Sequence, residues 1–201
     1  ADFGLECRRF NGGVEIRWSC DPSRIHDQTP AEAVFRFPNG LADFLAERVK
    51  DIETVTPEPF AGRYERPGET GKVEWAVTWT PAGFGEADSF MQSYCNTVPT
   101  PEGGTHEAGL RAALTRGLKQ YAELTGEKRG GVITAEDVVA QAGALVSVFI
   151  ANPEFQGQTK EKLVSSDAQR LVENALRDPF DHWLTAQPKS ASLLLQFVID
   201  R

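Results

Sequence analysis

The stretch from Lys72 to Thr80 constrains the fold of this chain more than any other segment. Large apolar residues fill every second position there, namely Val73, Trp75, Val77 and Trp79. A side-chain period of two is typical of a β-strand, so this stretch predicts one. Similar strand patterns cover residues 13–19, 34–37, 60–65 and 89–96. The first half of the chain is therefore predicted to consist mostly of strands.

Helical spacing dominates the second half of the chain. An apolar stripe at the helical period runs through residues 105–124, made of Leu110, Leu114, Leu118 and Tyr121. Thr134, followed by Glu136 and Asp137, is typical of a capped helix start, and the apolar run Leu145–Ile150 predicts a buried strand. Together, these patterns predict one α+β domain with a helical C-terminal appendage.

Two further helix boundaries depend on single residues. Asn39 is expected to cap a helix that ends near Arg48, because Asn is a favoured N-cap residue. Pro179 lacks a backbone N–H, so it is expected to interrupt a helix that begins at Ser165 or Ser166. Helix is then predicted to resume over residues 180–184, and a last helix is predicted over residues 191–199.

Aromatic residues are concentrated in the strand-rich half. Exposed aromatic rings can stack on nucleic-acid bases, whereas rings at alternating strand positions pack in a sheet core. We interpret the aromatic residues of this half as sheet core, namely Trp18, Trp75, Trp79, Phe35 and Phe37.

The composition limits the classes of protein that fit. The chain has 201 residues, 40% of them hydrophobic, and a net charge of −8. No apolar run is long enough to span a bilayer. The three cysteines lack metal-type spacing and are expected to be reduced thiols. An acidic chain that handles DNA needs a local basic patch or help from other domains. A start at Ala1 and an end within a helical pattern are expected of an internal piece of a longer protein.

A polar loop at Gln156–Leu163 carries the main candidate site. Lys160 supplies a mobile cation with three donors, and Gln158 supplies an amide, so the pair suits the oxygens of a terminal phosphate. A Gln-x-Lys triplet is common by chance, and the alternative is a solvated loop lysine. The triplet gains weight from a second segment upstream.

That second segment reads NTVPTPEGGTHEAGL and contains Gly103-Gly104-Thr105-His106. Paired glycines before a helix can point N–H groups at an anion. A tight strand-to-helix turn capped by Thr105 is the alternative that we favour. His106 is interpreted as a hydrogen-bonded turn residue rather than a ligand or base. No metal site can be assembled from the three histidines, His26, His106 and His182.

These two segments, in this order, resemble the transducer domain of the ATP-operated B subunits of bacterial type IIA DNA topoisomerases, which comprise gyrase and topoisomerase IV. The upstream segment, with DPFDHWL downstream, is more similar to the topoisomerase IV branch, and the resemblance is firmest over residues 90–183. It implies a ribosomal-protein-like transducer fold, in which helices pack on a mixed sheet with a left-handed β-α-β crossover. It also implies a transducer domain over residues 1–187 and a C-terminal helix over residues 188–201. This helix would lead toward an absent DNA-gate domain, although its leucine-rich run could instead pack on the preceding helix.

The resemblance implies roles for individual residues. Gln158 and Lys160 would reach across a domain boundary to the γ-phosphate of ATP, which a separate domain binds mainly, together with Mg²⁺. Lys160 would then act as a γ-phosphate sensor and charge stabiliser. Arg111 would face transported DNA, and Arg116 and Lys119 add basic candidates on the same helix. A solvated helix face is the alternative for all three.

The chain lacks a Gly-x-x-x-x-Gly-Lys-Ser/Thr loop and the Glu-x-x-x-Asn setting of this ATPase family. We therefore expect it to be inactive alone but to be part of an ATP-hydrolysing topoisomerase. The implied partners are the A subunit of topoisomerase IV, duplex DNA and a second B subunit, in the cytoplasm at the nucleoid, with no membrane. The alternatives are the gyrase B subunit, a MutL- or chaperone-type clamp, and a small anion- or RNA-binding module.

Overall fold

A three-stranded antiparallel sheet opens the chain in the computed structural model, which describes residues 3–10, 13–65 and 71–201. Its strands are β1 (Phe3–Phe10), β2 (Gly13–Cys20) and β3 (Glu32–Arg36), in that spatial order. The strand predicted over residues 13–19 is confirmed, whereas β1 had no clear sequence signal. Leu5, Val14 and Phe35 lie on one face of this sheet by register and are all exposed. The prediction that Phe35 is a core residue is therefore wrong.

Helix α1 (Leu41–Val49) follows, and it does not begin as predicted. Gly40, in a left-handed conformation with φ of 61°, is the N-cap residue. Asn39 instead donates its backbone N–H and its side-chain amide to Asp43. The first helical N–H, that of Leu41, is satisfied by Glu74 at 2.7 Å. A carboxylate from a neighbouring strand thus does the work expected of Asn39.

The larger sheet has five strands and a mixed direction. The strands are β4 (Phe60–Glu65), β5 (Lys72–Trp79), β6 (Phe90–Cys95), β7 (Val98–Pro99) and β8 (Ala142–Phe149). Their spatial order is β4-β5-β8-β6-β7, with β8 antiparallel to β5 and parallel to β6. Residues 142–148 of β8 are all buried, as the apolar run predicts for a strand covered on both faces. The predicted mixed α+β architecture is confirmed.

A helical crossover joins the parallel pair β6 and β8. It contains α2 (Thr105–Thr125) and α3 (Ala135–Val139), and the predicted Thr134–Asp137 capping box is present. The left hand of this crossover stays a prediction that the resemblance implies. Two short strands, β9 (Phe155–Gln156) and β10 (Lys162–Leu163), follow β8. They precede the last two helices, α4 (Ser166–Ala186) and α5 (Pro188–Ile199).

Helix α4 runs without a break through Pro179, so the predicted interruption is wrong. The apolar face of α4 continues on both sides of the proline, with Leu176, Phe180 and Leu184 all buried. A proline inside a helix costs about 3 kcal/mol or more. Each of these large side chains gains about 1.5–3 kcal/mol on burial, so packing outweighs the missing hydrogen bond.

The sheet carries helices on both faces. Helices α2, α4 and α5 contribute to the main core together with alternate residues of β5, namely Val73, Trp75, Val77 and Trp79. On the other face, Leu45 of α1 packs with Ala76 and Leu145. Trp75 and Trp79 are fully buried, which confirms their core assignment, whereas Trp18 and Phe37 are only half-buried.

Helix α5 packs into the main core rather than projecting from it. Leu194, Leu195 and Val198 are buried, whereas Leu193 is 59% exposed. The leucine-rich run therefore packs on the core, and its continuation toward a DNA-gate domain stays a prediction. Within the described residues, no helix is both long and apolar enough to cross a membrane.

Candidate functional site

The loop predicted to bind phosphate is the tip of a hairpin. Strands β9 and β10 pair antiparallel, with Gln156 opposite Lys162 and Phe155 opposite Leu163. Residues 157–161 form the tip, and we call residues 155–163 the Lys160 hairpin. Gly157 adopts φ of 78°, which glycine tolerates without strain. The sequence pattern missed the strands because two residues are too few to show a period.

The tip of the hairpin presents Lys160 to solvent. The side chains of Gln158 and Lys160 are exposed, and neither forms a hydrogen bond or ion pair with another described residue. Lys160 has φ of 58°, an unusual conformation for a residue with a side chain, and one often found at functional sites. Thr159 is tied within the tip, since its hydroxyl donates to Glu161 at 3.0 Å. A free cation and a free amide therefore stand on the same exposed tip.

The hairpin is docked on the second predicted segment. The Glu102 N–H donates to the Glu161 carbonyl at 3.0 Å, and the Leu163 N–H donates to the Gly103 carbonyl at 3.0 Å. Gly104 and Leu163 also form an isolated parallel bridge. The structure thus brings together the two segments that the sequence singled out.

Residues 100–104 form a tight turn, which we call the Gly104 turn. The Gly103 N–H donates to the Thr100 carbonyl at 2.8 Å, and Gly103 has φ of 67°. The tight-turn interpretation is therefore confirmed, but the cap differs from the prediction. Gly104 is the N-cap residue of α2, whereas the Thr105 hydroxyl donates to the Ser165 carbonyl at 2.7 Å.

A buried polar network lies beneath the Gly104 turn. His106 is 0% exposed, and its Nε2 is 3.0 Å from the Thr100 hydroxyl. That hydroxyl is 2.7 Å from the Ser93 hydroxyl, which in turn donates to Glu107 at 2.7 Å. Burial lowers the pKa of His106 to about 4, so the imidazole is neutral near pH 7. His106 is thus a hydrogen-bonded structural residue, as predicted.

The three basic candidates on α2 lie in two places. Arg111 forms an ion pair with Glu107 at 3.5 Å and lines a shallow groove with Lys162 of the hairpin. Arg116 and Lys119 line a different groove. The described residues contain no group of three or more His, Cys, Asp or Glu side chains that could hold a metal ion. The lining of these two grooves does not show whether any of the three basic residues contacts DNA.

Two solved structures with a similar fold come from a topoisomerase IV and from a gyrase B subunit. The topoisomerase IV ATP binding domain of Francisella tularensis, in complex with a small-molecule inhibitor, gives a TM-score of 0.69 at 29% identity, covering 84% of this chain and 44% of that one. The 43K ATPase domain of Thermus thermophilus gyrase B, in complex with an aminocoumarin, gives a TM-score of 0.72 at 27% identity. The match covers 86% of this chain and 45% of that one. The fold thus defines an α+β domain of the kind found in these subunits. The chain belongs to the DNA gyrase B family, whose model matches residues 40–201.

Curated relatives agree with this family. The B subunit of DNA topoisomerase 4 from Caulobacter vibrioides is 78% identical over 189 residues, which cover 94% of this chain and 27% of the relative. The protein of the same name from Escherichia coli is 35% identical over 164 residues, which cover 81% of this chain and 25% of the relative. The chain therefore spans about a quarter of the length of these relatives. Membership in the DNA gyrase B family disfavours the MutL-type, chaperone-type and RNA-binding alternatives.

Proposed function

We propose that this chain is the transducer region of the B subunit of a bacterial topoisomerase IV. In this role it couples ATP binding and hydrolysis in a neighbouring domain to closure of a dimeric clamp and to DNA strand passage. The observation that carries the proposal is the docked hairpin, which exposes the unpaired ammonium of Lys160. The parent protein is then an ATP-hydrolysing isomerase, and this chain alone is inactive.

Lys160 and Gln158 fit a phosphate group by their chemistry. An ammonium and an amide supply donors to phosphate oxygens, and an unpaired ammonium gives up no existing ion pair when it binds one. Lys160 contacts the γ-phosphate while ATP is intact and stabilises the charge that develops during hydrolysis. Loss of that phosphate removes the contact and allows the two domains to separate. Mg²⁺ accompanies the nucleotide in the neighbouring domain.

The remaining parts of the proposal concern partners. This role requires three partners, namely the A subunit of topoisomerase IV, duplex DNA and a second B subunit. The complex acts in the cytoplasm, at the nucleoid. Arg111, Arg116 and Lys119 are the candidate DNA contacts, because a net acidic chain must use local cations. Residues 1–187 form the transducer domain, and residues 188–201 lead toward the DNA-gate domain.

The test is ATP turnover by the intact B subunit carrying Lys160→Ala, with nucleotide binding measured in parallel. Removing one preorganised electrostatic contact lowers kcat by about 10²–10³-fold, and we expect nucleotide to remain bound. Lys162→Ala is the matched control, since Lys162 lies on the same hairpin but on β10 rather than at the tip. Unchanged turnover in Lys160→Ala would remove the central site assignment.

The gyrase B subunit is the runner-up, favoured by the fold match to the Thermus thermophilus structure. A decatenation assay that combines the intact parent protein with each A subunit distinguishes the two. Decatenation restored by the topoisomerase IV A subunit, and not by the gyrase A subunit, supports the proposal. The opposite pairing contradicts it.

A further inference from the structure

The Lys160 hairpin has little structure of its own to hold it in place. Its two strands are two residues each, and its tip is exposed. The hydrogen bonds that attach it to the Gly104 turn are main-chain, from the N–H groups of Glu102 and Leu163, and Gly104 adds a bridge. The Leu163 side chain is 0% exposed and anchors β10 in the main core. On the other side, the Val164 N–H donates to the Glu154 carbonyl at 2.8 Å. The position of Lys160 therefore depends on how the hairpin sits against this turn.

Gly104 is the point of closest approach between the turn and the hairpin. A Cβ atom at this position would lie 2.2 Å from the Leu163 carbonyl oxygen and 2.7 Å from its nitrogen. Both are main-chain atoms, so no side-chain rotation can relieve the overlap. The φ of Gly104 is also 144°, which side chains disfavour. Any substitution at Gly104 must therefore push the hairpin away from the turn.

The Gly104 turn itself is held firmly to the core. Ser93, Thr100 and His106 are each at most 4% exposed and form one hydrogen-bonded chain under the turn. Ser93 belongs to β6 of the central sheet, and His106 belongs to the first turn of α2. Since the turn is tied to the core by this network and β10 by the buried Leu163 side chain, a Cβ forced between them must shift one main-chain segment against the other. The position of the exposed hairpin tip relative to α2 changes with that shift.

We propose that Gly104 is a positioning residue for Lys160. Its missing side chain lets the hairpin dock on the start of α2, and this docking sets the height and direction of the lysine at the tip. Movement of the lysine is then transmitted to α2 through main-chain bonds rather than through a flexible loop. This inference rests on the proposed function, because it gives the docked position a role in ATP turnover.

The first experiment compares Gly104→Ala with Gly126→Ala in the intact B subunit. Gly126 is a matched control, since its φ of 77° also strains a side chain but nothing lies within 4 Å of its Cβ position. Amide hydrogen exchange of Leu163, measured without nucleotide, is expected to accelerate in Gly104→Ala only. A misplacement of about 1 Å lowers rate by about 10²-fold, so kcat should fall in that variant while nucleotide binding is kept.

The double variant Gly104→Ala/Lys160→Ala separates positioning from general damage. If Gly104 acts through Lys160, the double variant is no slower than Lys160→Ala alone. If the kcat reductions of the two single variants multiply in the double variant, the inference is overturned. Wild-type kcat in Gly104→Ala overturns it as well. If Lys160→Ala itself turns over normally, the proposed function fails, whereas the exchange result at Leu163 still reports on docking.

A measurement on the unsubstituted B subunit covers the case in which Gly104→Ala does not fold. A non-hydrolysable ATP analogue is added, and exchange is followed at the amides of Glu102 and Leu163. Both amides lie in the contact between turn and hairpin, so their protection is expected to rise together. Protection that rises at neither amide, or at only one, contradicts a docked unit that responds to nucleotide.

Discussion

The indole Nε1 of Trp79 donates a hydrogen bond of 2.8 Å to the main-chain carbonyl of Val138. Both residues are 0% exposed. The bond ties the end of β5 to α3, the short helix that directly precedes β8. Trp79 also lies beside Trp183 of α4, with ring centroids 6.3 Å apart. One side chain therefore connects the sheet, the crossover and the last long helix.

Replacing Trp79 by Phe is expected to lower the free energy of unfolding by about 1–3 kcal/mol, because the buried Val138 carbonyl loses this donor. Urea unfolding measures the loss. Trp183→Phe is the control, since Trp183 Nε1 has no hydrogen-bond partner among the described residues. Equal losses in the two variants would show that ring size, rather than the hydrogen bond, determines the effect.

Truncation of Phe180 is expected to destabilise the domain strongly. Phe180 is 0% exposed, and its ring lies 4.7 Å from that of Phe60 and 5.9 Å from that of Trp183, measured between centroids. Phe180→Ala should cost about 3–5 kcal/mol, through lost burial and the cavity left behind.

Thermal and urea unfolding check the Phe180 prediction. Leu193→Ala is the comparison, because Leu193 is 59% exposed and should change stability by at most about 0.5 kcal/mol. A loss of less than about 1 kcal/mol for Phe180→Ala would mean that the core relaxes into the space.

His106 makes stability depend on pH. Its pKa falls from 6.5 to about 4 on burial, so the unfolded chain binds a proton more readily than the folded chain. Stability is therefore fully present above about pH 6.5 and is lost as the pH falls toward 4. The loss is about 3 kcal/mol from this group alone, at about 1.36 kcal/mol per pKa unit. Urea unfolding at a series of pH values measures it.

His106→Gln is the control for this pH dependence, since glutamine does not titrate. Its stability should change much less between pH 6.5 and pH 4.5 than that of the unsubstituted protein. Carboxylates with lowered pKa values, such as Asp137, act mainly below this window. An unchanged slope in His106→Gln would assign the pH dependence to another group.

The cysteines are expected to differ in reactivity. Cys7 is exposed, whereas Cys95 is 0% exposed and burial raises the pKa of its thiol. A thiol reagent should modify Cys7 in the folded protein and reach Cys95 only on unfolding, because the thiolate is the reactive form. Mass spectrometry of labelled peptides, with and without urea, gives the two rates. Rapid labelling of Cys95 in the native state would mean that β6 opens readily.

Local patterns predicted the long elements well and their ends less well. The alternation through Trp75 placed β5 within one residue, because the buried face determines the register. Pro179 misled the prediction, since local propensity gives way to the packing of Phe180. Asn39 failed as a cap because Glu74, distant in sequence, supplied the acceptor.

The sequence singled out the residues of the candidate site but did not show how the site is built. Gln158 and Lys160 were singled out because their chemistry is visible in single residues, and their role at a phosphate stays a prediction. The contact of Gly104 with Leu163 is made across many residues of chain and through main-chain atoms, which carry no residue-specific signal. The glycine therefore indicated a turn, whereas its need for close approach became visible only in three dimensions.

Strand β8 links the two halves of the larger sheet, since β4 and β5 lie on one side of it and β6 and β7 on the other. It pairs with β5 from Lys72 opposite Phe149 to Trp79 opposite Ala142. The long chain segment between Trp79 and Ala142 forms a loop that must close before β5 and β8 can pair. Closing it costs chain entropy before the pairing stabilises the sheet, so such pairings form slowly. During synthesis, the sheet cannot be completed until Phe149 has left the ribosome. Translation must therefore carry the chain past the whole crossover before this sheet can fold as one unit.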